Sequence, residues 1–301
     1  MHINFGRYLN KFNHKLGNIF FKNDNLFTYN LYNHYSDRKK KYRLNNNDSI
    51  KEFHYNGFAN LESIPIKEIE NLYSEIIKQN PKDEGDHRFD YNIDDNIKKI
   101  IRNIVQKYLV NLLDDLKKYY NSNLYFTDFN LRRTYGFSKK DQNQKEFFAE
   151  NWHCDVYINN FLKIFINISD IKKENGPTNI LSKSQTKNFM NKSNYNNRNK
   201  YNEESYNEKE IYLNIGKKGK VLICNTTQCL HRAGIPFENH SRDLLIISLV
   251  AIPKMYEDSM HFVNQQQSIV WNNDRKKLGA ITKKYSKPVG IINLIKNFTN
   301  C

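Results

Sequence analysis

The sequence predicts a mainly β domain flanked by helices, and three patterns support this fold class. Residues 161–168 alternate between apolar and other side chains, which is the period of a strand with one face in a core. Two more apolar runs, 221–224 and 244–251, have the length of strands. Two earlier stretches, 66–77 and 93–116, place apolar residues at helical spacing instead. We therefore expect a β-scaffold braced by helices that precede it in the chain.

The helical stretches have clear apolar faces. The first helix has Ile66, Ile69, Tyr73, Ile76 and Ile77 on one face, and Pro81 ends it. A longer helix follows, with apolar positions at Ile93, Ile97, Ile100, Ile101, Ile104, Tyr108, Leu112 and Leu116. Strands are expected from about residue 124 to residue 251.

The alternating stretch separates two kinds of side chain. One face of this strand carries Leu162, Ile164, Ile166 and Ile168, and the other carries Lys163, Phe165 and Asn167. Because successive side chains of a strand point to opposite faces, the first set belongs in a core and the second faces a different environment.

The strongest chemical signal is a His-x-Asp pair, His153 and Asp155, followed far downstream by His231 and then Arg242. On a strand, positions i and i+2 project to the same side, so His153 and Asp155 share a face. Two imidazoles and a carboxylate can occupy one face of an octahedron and leave the other open for a chelating co-substrate and O2. Arg242 adds a fixed cation that suits a dicarboxylate. The pattern indicates non-haem Fe(II), 2-oxoglutarate-dependent oxygenase chemistry.

A zinc site and a simple surface pair both fit the His-x-Asp pattern less well. A closed zinc site would need a fourth protein ligand, often sulfur, and Cys154 points away from the face of His153 and Asp155. An isolated His-x-Asp pair also occurs as an ordinary hydrogen-bonded surface pair. The flanking apolar runs favour the metal site, because they place the proposed ligands at strand ends or in adjoining turns.

Five features occur together and in order. They are the segment 53–58 before an amphipathic helix, the segment 152–155, the segment 168–177 with its Gly176-Pro177 step, the segment 224–234, and Arg242. These features resemble the phytanoyl-CoA dioxygenase-like family of Fe(II)/2-oxoglutarate-dependent oxygenases, over roughly residues 49–255.

The resemblance implies a double-stranded β-helix, a cupin-like jelly roll of two packed sheets buttressed by helices. It implies that His153, Asp155 and His231 are the iron ligands. It also implies that Arg242 forms a salt bridge with the distal carboxylate of 2-oxoglutarate, which a planar guanidinium binds in a bidentate way. Retention of Asp155 argues against halogenation, because related halogenases replace this carboxylate with Gly or Ala.

Two aromatic residues are similar in position to residues that line the 2-oxoglutarate site of the family, namely Tyr135 and Phe165. Ordinary core packing explains them equally well. Ala233 stands where a hydroxyl group often assists the co-substrate carboxylate, so Arg242 is expected to carry more of that binding.

The implied activity is hydroxylation of a C–H bond in a small organic substrate, with Fe(II), 2-oxoglutarate and O2, and with release of succinate and CO2. The alternative is a non-catalytic jelly-roll binding protein with a vestigial metal site. Such a protein would keep the strands but would have no need of Arg242.

Three segments are expected along the chain. Residues 1–48 form a polar extension, 49–262 the dioxygenase-like domain, and 263–301 a tail that docks on it. Apolar residues recur at helical spacing in the extension (Phe5, Leu9, Phe12, Leu16 and Ile19), and this helix either packs on the domain or contacts a membrane surface or a partner. The polar segment 187–209 is expected to be a mobile loop, either a substrate-gating lid or a neutral insertion.

The composition places few further limits. The net charge is +15, but the basic residues are scattered and only residues 38–41 form a compact run. No nucleic-acid partner is therefore expected. The positive charge is compatible with an anionic substrate. The 4 cysteines show neither zinc spacing nor a disulfide framework, which favours a reduced, cytoplasmic protein. No stretch has the length of a transmembrane helix, and the first residues lack the apolar run of a signal peptide.

Overall fold

The computed structural model describes residues 48–83, 87–120, 123–136, 151–155, 161–193 and 210–252. In chain order these residues form α1 (Asp48–Asn56), β1 (Phe58–Leu61), α2 (Ile66–Ile77), β2 (Arg88–Asp90), α3 (Asp95–Ile104), a π-helical turn (Val105–Leu109), α4 (Val110–Tyr120), β3 (Asn123–Tyr135), β4 (Phe161–Asn167), a 3-10 turn (Lys173–Asn175), β5 (Asn179–Ile180), α5 (Lys183–Ser193), β6 (Tyr212–Leu213), β7 (Val221–Asn225), β8 (His231–Arg232) and β9 (Ser241–Ile252).

The strands form two antiparallel sheets. The larger sheet has the order β1-β7-β4-β9-β3-β2, and the smaller has the order β6-β5-β8. A bridge between His153 and His231 adds the segment 151–155 to the smaller sheet, beside β8. From β3 to β9 the chain returns repeatedly to each sheet: β3, β4, β7 and β9 belong to the larger, and 151–155, β5, β6 and β8 to the smaller. This winding is that of a double-stranded β-helix, and it confirms the predicted fold class.

The helices cover one face of the larger sheet and form the main core with it. Asp94 caps α3 by accepting a hydrogen bond from the amide of Ile97, at 2.8 Å. The side chains of Ile101 and Leu113 are fully buried against the sheet. Full burial of one such side chain stabilises the fold by roughly 1.5–3 kcal/mol. The core between the helices and the larger sheet therefore contributes much of the stability of the domain.

The opposite face of the larger sheet looks toward the smaller sheet. Here Phe58, Phe165 and Leu222 form a second apolar cluster with Ile180 of β5. The register places Phe165 opposite Ile246 and Leu222, so these side chains share the inner face. Polar side chains occupy other positions of this face, and the candidate site lies among them.

The register of β3 against β9 shifts between Phe126 and Asp128, which marks a β-bulge. A bulge adds one residue to one strand and so reverses the alternation of faces beyond it. Phe126 and Phe129 both lie in the helix-facing core, three positions apart, as this reversal requires.

Some expectations differ from the structure or lie outside it. The polar segment 187–209 was expected to be a loop, yet it begins in α5, which continues to Ser193 because Phe189 packs with Trp152 and Leu230. Residues 194–209 lie outside the described residues, as do residues 1–47 of the predicted extension and residues 253–301, which include the predicted tail 263–301. Among the described residues, none of the helices has the length and apolar character needed to cross a membrane.

Candidate metal centre

The structure brings His153, Asp155 and His231 together between the two sheets. His153 and His231 are directly opposite each other, since each backbone amide donates to the other residue's carbonyl, at 3.0 and 2.9 Å. The amide of Asp155 donates to the carbonyl of Thr226 at 2.8 Å, which fixes the other end of the segment. Trp152 and Leu230 alternate with the histidines and pack on the far side of the small sheet. The predicted triad therefore rests on paired backbone.

One potential ligand atom from each residue lies within 4.8 Å of the others. The Nε2 atom of His153 is 3.9 Å from Oδ1 of Asp155, and the Nε2 atom of His231 is 3.8 Å from Oδ2. Two ligand atoms of one metal ion, with bonds of about 2.1 Å, are at most about 4.2 Å apart. Each Asp–His separation satisfies this limit, one through each oxygen of the carboxylate.

Both imidazoles have the tautomer that a metal ligand needs. Nδ1 of His153 lies 2.7 Å from the carbonyl of Asn151, and Nδ1 of His231 lies 3.0 Å from the carbonyl of Cys229. A carbonyl oxygen only accepts, so each Nδ1 carries the hydrogen and each Nε2 presents a lone pair. Nε2 of His231 is buried without a hydrogen bond, as expected of an atom whose partner is a metal ion.

Burial and neighbouring charge set the protonation of the triad. Burial lowers the pKa of His231 to about 3, and His153 contributes in the same direction. Burial also opposes the negative charge of Asp155, but Lys163 and the imidazoles outweigh it and hold the pKa of this carboxyl well below its usual value. At neutral pH the site therefore offers a neutral His231 and an ionised Asp155, the forms that bind a divalent metal.

Lys163 also belongs to the site, although the sequence motif of His153, Asp155 and His231 does not include it. Its Nζ lies 2.8 Å from Oδ2 of Asp155, so the two side chains form a close ion pair. The geometry of this contact is not that of a hydrogen bond. Lys163 shares the inner face of β4 with Phe165, as the alternation predicted. A lysine in the middle of an otherwise apolar strand was the signal that could have identified it.

Arg242 lies at the start of β9, on the inner face and opposite Thr134. It is 3% exposed, its Nη1 donates to the carbonyl of Gly234 at 2.9 Å, and its Nε is buried without a partner. Burial, and to a smaller extent Arg132, lowers the pKa of Arg242 to about 9. Within the described part of the chain, no carboxylate forms an ion pair with this guanidinium. A buried cation without a counterion indicates a site for an anionic group.

Two glycine-containing loops pack closely where Arg242 finds its acceptor. A Cβ on Gly234 would lie 2.2 Å from the carbonyl oxygen of Pro177, and a Cβ on Gly176 would lie 2.3 Å from the nitrogen of Pro236. Gly176 also has a φ of +63°, which favours glycine. The Gly176-Pro177 step thus supports the backbone that holds Arg242.

The structure does not bring Tyr135 to this site. Tyr135 pairs with Ser241 and lies on the same side of the sheet as Arg133 and Asp243, whereas Arg242 is on the other side. Arg133 and Asp243 form a bidentate pair there, with two contacts of 2.8 Å. The register against β9 gives this placement, since Tyr135 pairs with Ser241, the residue before Arg242. Tyr135 therefore lies on the face of the sheet away from Arg242.

Phe165 does lie on the inner face, where it is 4% exposed and packs with the apolar cluster. Asn130 occupies the same level of the sheet, opposite Ile246, and its Oδ1 atom is buried without a hydrogen bond. Between Lys163 and Arg242 the inner face therefore combines an aromatic wall with an unsatisfied amide. These properties suit a small polar ligand.

The metal and the anion both fit this donor set. Imidazole and carboxylate are ligands that Fe(II) accepts, and in this arrangement they leave part of the coordination sphere open. The orphaned Nε2 of His231 and the orphaned Nε of Arg242 would each gain a partner, the first from a metal ion and the second from a carboxylate.

No protein-family model and no curated protein matches the sequence. Membership of the phytanoyl-CoA dioxygenase-like family therefore stays a prediction.

Solved structures to which this chain is similar include SnoN, HygX and ThoJ. One is the α-ketoglutarate-dependent epimerase SnoN from nogalamycin biosynthesis, with a TM-score of 0.46, 11% identity, and coverage of 72% of this chain and 87% of SnoN. HygX from Streptomyces hygroscopicus, with nickel and 2-oxoglutarate bound, has a TM-score of 0.47, 15% identity, and coverage of 71% and 89%. The monooxygenase ThoJ, as a nickel complex, has a TM-score of 0.42, 12% identity, and coverage of 67% and 76%. Because these TM-scores are below 0.5, the three structures carry no argument about the function of this chain. The function is inferred from the strand order and the side chains of the site.

Proposed function

We propose that this chain is a non-haem Fe(II)- and 2-oxoglutarate-dependent dioxygenase that hydroxylates a C–H bond of a small organic substrate. The observation that carries the proposal is the combination of a preorganised His153, Asp155 and His231 triad with a buried Arg242 that has no carboxylate partner among the described residues. A structural metal site would not need the arginine. A simple anion site would not need the triad.

In this proposal His153, Asp155 and His231 hold Fe(II). The carbonyls of Asn151 and Cys229 orient the two imidazoles, so the ligands change little in conformation when the metal binds. Burial of the triad excludes water from the protein side of the metal.

Arg242 binds the distal carboxylate of 2-oxoglutarate. Its guanidinium is fixed by the carbonyl of Gly234 and has an unused Nε–H, so a carboxylate can complete its hydrogen bonding. Phe165 forms part of the apolar wall beside the co-substrate. When bound, iron and 2-oxoglutarate supply the oxidising chemistry, in which O2 and 2-oxoglutarate become succinate and CO2 while one C–H group of the substrate becomes an alcohol. The protein's own residues bind, orient and enclose the reactants.

The substrate is proposed to be a small polar molecule, and the net charge of +15 is compatible with an anionic group. The inner face offers the amide of Asn130 beside the apolar cluster. This amide is suited to a ligand with hydrogen-bonding groups.

Succinate formation tests this function without knowledge of the substrate. In this proposal 2-oxoglutarate and O2 react at the iron, so the purified chain with Fe(II), 2-oxoglutarate, air and a mild reductant in place of the substrate is expected to release succinate. His153→Ala and Asp155→Ala should abolish this release, because each removes a metal ligand. His240→Ala, at an exposed turn, is the matched control and should leave it intact. Succinate release that is equal in the native chain and in both ligand variants would contradict the proposal.

The ion pair of Lys163 with Asp155 supports one second candidate, a non-catalytic jelly-roll binding protein with a vestigial metal site. An ammonium 2.8 Å from the carboxylate can neutralise it without any metal ion. This candidate predicts that the native chain binds no divalent metal with useful affinity. A Co(II) titration of the native chain separates the two candidates.

A further inference from the structure

We propose that Lys163 is a positioning residue of the metal centre: its ammonium pairs with Oδ2 of Asp155 and thereby fixes the carboxylate in the orientation in which it faces both histidines. The inference rests on the proposed function, since it assigns a role at the same site. It concerns a residue outside the His-x-Asp…His pattern.

The contacts of Lys163 point to Asp155 alone. Directly opposite Lys163 on the neighbouring strands are Cys224 and Ser248, which carry no charge. Its ammonium also lies 5.7 Å from the centre of the Phe161 ring, which tolerates a cation on its face. Among the described residues, Asp155 is the carboxylate within ion-pair distance of Lys163. The lysine is therefore directed at one metal ligand.

Asp155 needs such a partner because its carboxylate is buried. The side chain is 9% exposed, so water cannot fully satisfy two charged oxygens. A metal bound through one oxygen leaves the other oxygen with charge and free lone pairs, and a buried group in that state is costly. The ammonium supplies a compensating positive charge 2.8 Å from Oδ2.

With Lys163 included, every ligand of the triad has a supporting partner. The Asn151 carbonyl orients His153, the Cys229 carbonyl orients His231, and Lys163 orients Asp155. Partners of this kind typically affect metal affinity or activity by roughly 10- to 100-fold when they are removed. A lysine that merely substituted for the metal would have the opposite effect, because its removal would relieve a competing positive charge.

The experiment is a Co(II) titration of the full chain, followed through the visible ligand-field bands of Co(II), which report coordination independently of catalysis. Lys163→Met keeps the length and packing of the side chain but removes its charge. Lys163→Arg retains a cationic donor. Lys67→Met, at an exposed position of α2, is the control for loss of a lysine elsewhere. Thermal melts of the metal-free variants verify that each is folded.

We expect Lys163→Met to weaken Co(II) binding by roughly 10- to 100-fold and to change the band pattern as the carboxylate is freed. Lys163→Arg should restore most of the affinity, and Lys67→Met should match the native chain. Equal or tighter binding by Lys163→Met, while the native chain binds Co(II), would overturn this inference but leave the metal site standing. A native chain that binds no Co(II) would overturn both. If Lys163→Met fails to fold, Lys163→Arg and Lys163→Gln decide by the same comparison, with the arginine expected to bind more tightly.

Discussion

Two arginines near the start of β9 have opposite surroundings. Arg133 forms a bidentate pair with the buried Asp243, which also accepts a hydrogen bond from Tyr91 at 2.8 Å. Arg242, one residue before Asp243 and on the other face, has only a backbone carbonyl among the described residues. The first arrangement is complete within the protein, whereas the second becomes complete only when an anion binds.

This difference gives a prediction for Arg242→Met. Methionine fills a similar volume without charge, so the ligand-free variant should be at least as stable as the native chain, because an uncompensated buried cation has been removed. It should lose binding of 2-oxoglutarate by roughly 10- to 100-fold, since hydrogen bonds to charged groups contribute about 1.5–3 kcal/mol. Thermal melts with and without Mn(II) and 2-oxoglutarate measure both effects.

Arg88→Met is the control, because it removes an arginine from the same part of the sheet without removing the buried guanidinium of Arg242. It should keep the rise in melting temperature caused by 2-oxoglutarate. An Arg242→Met variant that keeps this rise would show that another residue holds the co-substrate.

At the residue scale, the sequence was enough to single out the three residues that the structure brings together and the buried Arg242, but it did not single out Lys163. The triad residues are of types that bind metals, and their spacing on a strand follows from backbone geometry alone. The role of Lys163 depends on which strand lies across from Asp155, and this is a property of the tertiary fold. Its face was predicted correctly, but its partner was not.

At the element scale, the site depends on two loops that pack backbone against backbone. The carbonyl that accepts from Arg242 belongs to Gly234, and Gly234 contacts the Gly176-Pro177 step with no room for a side chain. The sequence resemblance identified both segments but gave no reason for the glycines. The close approach of the two backbones is that reason.

Gly234→Ala should therefore weaken both the fold and the co-substrate site. The added Cβ would force the loops apart, which we expect to cost about 1–3 kcal/mol of unfolding free energy and to weaken 2-oxoglutarate binding. Urea unfolding and the thermal shift with 2-oxoglutarate measure these effects. Gly216→Ala is the control, because its Cβ meets the flexible side chain of Lys220 instead of backbone. Unchanged 2-oxoglutarate binding in Gly234→Ala would contradict the supporting role of these loops.

Two irregular elements limited the sequence-based prediction. A single helix was expected over residues 93–116, but the structure has a π-helical turn at Val105–Leu109 between α3 and α4. The extra residue in this turn buries Leu109 and leaves Tyr108 only partly buried, with its hydroxyl bound to Glu68. The bulge in β3 similarly reverses which of its residues face the helices. Each irregularity inserts one residue into a regular period, and periodicity alone gives no sign of it.

At the scale of the whole molecule, the architecture separates stability from chemistry. One face of the larger sheet packs on the helices through a continuous apolar core, while the other face and the smaller sheet enclose the triad, Lys163 and Arg242. The net charge of +15 adds a positive field that would attract anionic co-substrate and substrate, more weakly at high salt. Fold class was predictable from strand and helix periods. The pairing of strands that places Lys163 beside Asp155 was not.

The decisive measurement for the proposed function is an anaerobic titration of the metal-free chain with Fe(II) and then with 2-oxoglutarate, followed by visible absorption. We predict a weak charge-transfer band that appears only when both are present, because the band requires 2-oxoglutarate chelated to the iron. The band should be absent in His153→Ala and should require more 2-oxoglutarate in Arg242→Met. A folded native chain that shows no band at saturating Fe(II) and 2-oxoglutarate would contradict the proposed function and would favour a binding protein with a vestigial site.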